Sequence, residues 1–189
     1  IVPDTRGCGD SEMLPAVSDY KIEKLVADIV GLLDVLGIEK VRLIAHDWGA
    51  AIAWRMVVDH PERVIEYVAL SVGHLVAYAR GSLRQKLKGY YVLLFQLRGI
   101  AELLITCCNW TGMRLITRYP QEMDNWRTML GRSGRLTAAI NYYRANLPMF
   151  FSRSLGPARV PVLGVWSTND VALAEDQMLA TEKYVQAPF

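Results

Sequence analysis

Asp47 sits in Ala45-His46-Asp47-Trp48-Gly49, a carboxylate with a small residue two positions away on either side. The motif lies between a β-rich apolar run, Lys40 to Ala45, and an apolar helical run, Ala50 to Val58. A strand-to-helix turn of this form presents its central side chain at the tip, and small neighbours let strand and helix pass closely. A carboxylate so placed attacks an electrophilic carbon and is left as an ester. The helix N-terminus behind it stabilises negative charge, and backbone N–H groups there, that of Trp48 among them, can serve as an oxyanion hole. The same composition is also met in an ordinary turn in which Asp caps a helix.

Asp170 ends Trp166-Ser167-Thr168-Asn169-Asp170, just past another strand-like run, Val160 to Trp166. Asp170, like Asp47, follows a strand run, and a second carboxylate there could orient a base, although Asp is also common in an ordinary turn. The base is harder to find among His46, His60 and His74. His46 adjoins the nucleophile on a sharp turn and is expected to point away from it. His60 precedes Pro61 at an expected helix end, where capping is the simpler role. His74 follows a strand run and could reach the cleft. The three cysteines, Cys8, Cys107 and Cys108, have no metal-ligand spacing and form no disulfide framework.

The elements that must position these groups follow from periodicity. Ile22, Leu25, Val26, Ile29, Leu33 and Leu36 recur at helical spacing, with Gly37 as a stop. Ile1 to Asp4 reads as the end of a strand, and Val64 to Val72 as a further strand. The order strand–helix–strand–helix–strand predicts a parallel sheet. Residues 75–150 then turn helical in pattern, and 75–158 holds 12 of the 21 basic residues but only 3 of the 19 acidic ones. Val160 to Trp166 returns to the sheet, and Ala174 to Tyr184 reads as a helix. The fold class is therefore α/β, a mostly parallel sheet interrupted by a helical insertion. The expected divisions are 1–74 and 159–189 for the core and 75–158 for the insertion.

The motifs resemble a known family. His46-Asp47-Trp48-Gly49 is similar to the elbow of α/β-hydrolases of the epoxide hydrolase and haloalkane dehalogenase group. Asp4-Thr5-Arg6-Gly7-Cys8-Gly9-Asp10-Ser11 resembles that group's D-x-R-G-x-G-x-S turn, with Cys8 where Tyr is usual. Tyr91 to Gln96 and Gly99 to Glu102 resemble the first cap helix of epoxide hydrolases, and Asn141-Tyr142-Tyr143-Arg144 their later cap segment. The likeness implies an α/β-hydrolase fold with a cap, Asp47 as nucleophile, Asp170 as acid, and Tyr91 and Tyr143 as donors to an epoxide oxygen. It implies Trp48 as an oxyanion donor, an epoxide and water as substrates, and no metal or organic cofactor. It also implies a base after one further strand and a His-Gly-x-Pro loop, neither present here, so the chain reads as an internal piece that turns over poorly by itself.

Periodicity bears on the tyrosines separately. Leu136, Ile140, Tyr143 and Leu147 share one helical face, which predicts Tyr143 inward and Tyr142 outward. Spacing does not separate Tyr90 from Tyr91. Haloalkane dehalogenase chemistry, with the Trp48 indole as a halide donor, and a non-catalytic binding role are the alternatives. The longest apolar runs fall short of the ~18 residues of a membrane span, and the basic run Arg80 to Lys88 lacks the organisation of a nucleic-acid site. A cytoplasmic location is the expectation; oligomeric state is not legible.

Overall fold

The computed structural model describes residues 1–152 and 154–189. In chain order the regular elements are α1 (Ile22–Val35), β1 (Val41–His46), α2 (Asp47–Asp59), β2 (Val64–Leu70), α3 (Leu75–Ala79) and α4 (Leu83–Lys88). Then follow α5 (Tyr90–Leu94), α6 (Ile100–Thr117), α7 (Met123–Leu130), α8 (Arg135–Ala145), β3 (Val162–Val165) and α9 (Glu175–Leu179). Packing sorts them into two compact units, one of residues 22–89 and 147–189 and one of residues 1–21 and 90–146.

The first unit holds the sheet. Its strands lie in the order β1-β2-β3, all parallel, with Leu43 opposite Tyr67 and Val68 opposite Leu163. Helix α2 is apolar nearly all round because it is covered nearly all round: Ala50 to Trp54, Met56 and Val57 are buried. Polar atoms in this core are paired. The Trp54 indole donates to the Val72 carbonyl at 2.9 Å, and the Tyr67 hydroxyl to the Ala50 carbonyl at 3.1 Å. Helix α1 ends at Gly37, whose φ of +67° suits a residue without a Cβ. The strand expected over Val160–Trp166 is shorter, Val162–Val165, since Pro161 has no N–H to contribute to the ladder.

The second unit is helical and carries the segment 1–21 on α8. The expectation of a strand at Ile1–Asp4 is not met: Ile1 and Val2 are exposed and enter no ladder among the described residues. What holds the segment is side-chain bonding. Arg132 pairs with Asp10 at 2.8 Å, Arg135 donates to the Ser11 carbonyl at 2.6 Å, and Asn146 donates to the Tyr20 carbonyl at 2.8 Å. Tyr142 is only 2% exposed, its hydroxyl donates to the Arg6 carbonyl at 2.6 Å, and its ring lies 5.6 Å from that of Tyr20. This corrects the outward placement of Tyr142. Helix α8 is covered on two faces, and the second cover comes from a turn-rich segment that has no periodicity to announce it.

Helix α6 is not one helix in its backbone. Cys108, Asn109 and Trp110 have φ of +49°, +57° and +65° in succession. The chain folds back so tightly that a Cβ on Gly112 would fall 1.8 Å from the Leu104 carbonyl oxygen.

The divisions 1–74, 75–158 and 159–189 describe a functional plan, whereas these units follow packing, in which 75–89 goes with the sheet and 1–21 with the helices. The plan's insertion also includes Arg153, which lies outside the described residues.

Candidate active site

Strand β1 ends at His46 and α2 begins at Asp47 with no residue between them. His46 is extended, at φ −129° and ψ 149°, and Asp47 turns the chain at φ +50°. A non-glycine residue with positive φ is uncommon and costs on the order of 1 kcal/mol or more, so the surroundings must hold it there. The turn is tighter than the four-residue turn expected at 46–49, and it sets Asp47 at the carboxyl end of a parallel strand, where such sheets bind their ligands. Ala45 and Gly49 do face each other across it: a Cβ built on Gly49 meets that of Ala45 at 3.8 Å, which is ordinary contact. The elbow therefore admits a methyl at 49.

The Asp47 carboxyl has its pKa raised, mainly by desolvation among protein atoms and slightly by the charge of Asp170. His46 and the Trp48 backbone N–H pull it down. Asp47 is nonetheless exposed, so solvent reaches the carboxylate and limits the effect. The N–H of Trp48 thus acts on the negative charge of the Asp47 carboxylate. The Trp48 ring stands edge-on to Phe150 at 6.1 Å, and Phe150 to Tyr78 at 5.7 Å. Tyr78 is near enough that Asp47 contributes to raising its phenol, which burial chiefly pushes up to about 12. Tyr78 and Phe150 line this part of the unit without having stood out in the sequence, because each sits in a short helical turn with no motif around it.

Asp170 follows β3, at the same end of the sheet. Its Oδ1 accepts from the N–H groups of Ala172, at 2.9 Å, and Leu173, at 2.8 Å. Lys88 reaches from α4 to the carbonyls of Asp170 and Leu173. The turn is thereby fixed, and Oδ2 accepts no hydrogen bond from the other described residues.

The histidines divide clearly. His60 caps the far end of α2, about 20 Å from the elbow at 1.5 Å per residue. His74 is fully buried; its Nδ1 accepts from the Val76 N–H at 3.2 Å, so Nε2 carries the proton and donates to the Gly156 carbonyl at 3.0 Å. Its ring stacks on Tyr184 at 4.9 Å, and burial lowers its pKa to about 4. Both ring nitrogens are committed to the fold. The loop carrying it is pinned to α9 and the turn beyond, with Gly73 N–H on Gln177 Oε1 and His74 N–H on Thr181 Oγ1 at 2.9 Å. His46 is exposed beside the elbow.

In the helical unit, Tyr91 and Tyr143 come together. Their rings meet edge-to-face at 5.7 Å, and Phe95 packs against both, at 5.5 Å and 4.9 Å. Both are half-buried on a cluster of Phe95, Ala101, Ile105, Leu136 and Ile140. Tyr90, which spacing alone did not distinguish from Tyr91, is 56% exposed. Arg144 locks this arrangement. It donates to the Phe95 carbonyl at 2.8 Å and bidentately to Glu102 at 2.8 and 3.0 Å, and these bonds hold the Glu102 carboxyl down at about 2.

The sharp turn that carries Asp47 and the turn that carries Asp170 each follow a strand of one parallel sheet. The chain matches the alpha/beta hydrolase fold family over residues 1–185 and belongs to it. More particularly, it is 31% identical to epoxide hydrolase 3 of Xenopus tropicalis over 205 residues, covering 100% of this chain and 56% of that protein. It is 41% identical to epoxide hydrolase 2 of Siraitia grosvenorii over 107 residues, 54% of this chain and 34% of that one. The crystal structure of an epoxide hydrolase from Vigna radiata is similar with a TM-score of 0.77 and 26% identity, over 97% of this chain and 71% of that one. The chain thus spans about half the length of the curated relatives it matches.

Proposed function

We propose that the protein carrying this chain opens epoxides to vicinal diols. The observation that carries the reading is a carboxylate, Asp47, in a left-handed elbow between strand and helix, in a chain whose relatives are named epoxide hydrolases. In the proposed reaction the Asp47 carboxylate attacks an epoxide carbon and forms an alkyl ester while the C–O bond breaks. The Tyr91 and Tyr143 hydroxyls donate to the departing oxygen and one of them supplies its proton. Water then attacks the ester carbonyl, with the Trp48 N–H stabilising the oxyanion and Asp170 orienting the base that activates the water. His74 is not that base, because both of its nitrogens are bonded within the fold. A polypeptide of these 189 residues is therefore proposed to react once and hold the ester.

Incubation with styrene oxide, followed by intact-mass measurement and peptide mapping, tests this. A single adduct on Asp47 is expected. Tyr143→Phe is expected to slow its formation by roughly 10- to 1,000-fold, the effect of one lost donor. Adducts confined to Cys8, Cys107 or Cys108 would refute the assignment of Asp47, and halide release from a chloroalkane without reaction at epoxides would favour dehalogenation.

A further inference from the structure

Cys107 and Cys108 are adjacent in the sequence and stand at the reversal that divides α6. Their backbone is neither helix nor strand. Cys107 has φ −58° and ψ 155°, and Cys108 has φ 49° and ψ 49°. Along a strand successive Cβ atoms alternate between the two faces. Here an extended ψ at Cys107 is followed by a positive φ at Cys108. That change of sign swings the Cβ of Cys108 to the side of the intervening peptide plane on which the Cβ of Cys107 already stands. The two thiols therefore leave the chain on one side. Cys108 is exposed and Cys107 half-buried, so reagents in solvent reach the pair.

The reversal is held from several directions. The Thr111 hydroxyl donates to the Cys108 carbonyl at 2.6 Å, and Arg127 donates from α7 to the Asn109 carbonyl at 2.9 Å. Trp110 and Met113 pack on the unit's apolar cluster. Gly112 lies so close to the Leu104 carbonyl that no side chain fits between them. The Cys107 thiol makes one weak contact, a 3.3 Å bond to the Leu104 carbonyl, which a stronger ligand would displace.

The pair selects among thiol ligands. No third His, Cys, Asp or Glu joins it in a metal-holding group among the described residues, so zinc, which takes four protein ligands in structural sites, is poorly served. A two-coordinate ion with sulfurs on opposite sides does not suit thiols that share one side of a single peptide. Consecutive Cα atoms are ~3.8 Å apart, closer than the ~4.4–6.8 Å of ordinary disulfides, so a direct S–S bond is strained. One large soft atom between the sulfurs closes a wider ring. Trivalent arsenic is soft, pyramidal and three-coordinate, and an organic arsenical brings its own third substituent.

We propose that Cys107 and Cys108 form a dithiol site for trivalent arsenicals. With an arsenic oxide R–As=O, two As–S bonds form and the As–O bonds break. Both thiol protons leave with the oxygen as one water, and nothing is oxidised or reduced. The site rests on the reversal alone and holds whatever reaction Asp47 performs.

Phenylarsine oxide is the probe, added to protein reduced with a phosphine and then freed of it. Intact mass is expected to show one adduct, with the loss of two titratable thiols, and peptide mapping to place it on Cys107 and Cys108. Cys107→Ser and Cys108→Ser should each weaken binding on the order of 100-fold or more, because the second bond is no longer intramolecular. Cys8→Ser should leave it unchanged. A turn that presents both thiols together binds better than the unfolded chain does, so saturating probe should raise the melting temperature of the wild type. An adduct on Cys8, equally tight binding by either single serine variant, or no adduct at all overturns the proposal. So does a melting temperature that the probe leaves unchanged or lowers, which would make the pair an ordinary dithiol that the fold does not shape.

Discussion

Acid is expected to weaken the fold through His74. In the folded chain the ring is neutral, its pKa lowered from 6.5 to about 4 by burial between Trp54 and Tyr184. Between those two values the unfolded chain binds a proton that the folded one does not, so stability falls as pH falls. At ~1.4 kcal/mol for each tenfold difference, the loss from this one group is about 2 kcal/mol between pH 7 and pH 5 and about 3 kcal/mol by pH 4. His74 is also the N-cap of α3, accepting from the Val76 N–H, and Asn keeps that acceptor without titrating in this range. The assay is urea unfolding of the wild type and His74→Asn at a series of pH values. The variant should be the less stable of the two at pH 7, because it loses the stacking on Tyr184, and the gap should shrink as the pH is lowered. Other titrating groups are common to both proteins and cancel in the difference. Parallel curves from pH 7 to 4, or a His74 ring resonance that titrates near 6.5 in the folded protein, would refute the reasoning.

Other substitutions probe the remaining supports. Glu102→Gln leaves the buried Arg144 without its counter-charge and should cost about 3 kcal/mol in chemical denaturation, with no rescue by Arg144→Lys, which cannot make the bidentate contact. Gly73→Ala should unfold the β2–α3 turn or lower expression sharply, since its Cβ would stand 2.4 Å from Thr181 Oγ1 and 2.5 Å from the Gln177 carbonyl, whereas Gly49→Ala should melt no lower than wild type. Tyr142→Phe should lower stability by about 1–2 kcal/mol by leaving the Arg6 carbonyl unpaired, while Tyr143→Phe should leave the melting temperature nearly unchanged.

Much of the sheet unit was legible because its signals are local. The period of α1, its Gly37 stop and the small residues around Asp47 each act within a turn or two of chain. The tightness of the elbow was not legible, since nothing in Ala45 to Gly49 says whether the helix begins at 47 or 50; that depends on α2 being drawn against the sheet by Trp54 and Met56. Tyr142 was misjudged for a related reason. A single helical face is a good guide when one side of a helix is covered, and α8 is covered on two, the second time by residues more than 120 positions away. The reversal at Cys108 to Trp110 had no glycine or proline to mark it. His74 was set aside from catalysis only because the family resemblance implies a base after a further strand; what excludes it physically is the occupation of both ring nitrogens, which only the folded chain shows.

The helical unit's dependence on two distant stretches of chain has a bearing on how the protein is made. Tyr20 and Asn146, joined by a hydrogen bond, are 126 positions apart, and Arg6 and Tyr142 are 136 apart. At ~5–20 residues per second, the segment ending at Lys21 leaves the ribosome some ~6–25 s before its partner helix does. For that interval its arginine- and tyrosine-binding carbonyls lack the side chains of α8, while α1, β1, α2 and β2 emerge in between and β1 finds its partner β2 at once, although the other side of β2 waits for β3. The helical unit is thus closed only once α8 has been made, and an arrest that stops translation ahead of Arg132 and α8 would leave the D-x-R-G turn with its local bonds, such as the Cys8 N–H on the Thr5 carbonyl and the Asp10 N–H on Asp4 Oδ2, but without the Arg132, Arg135 and Tyr142 contacts that tie it to the unit.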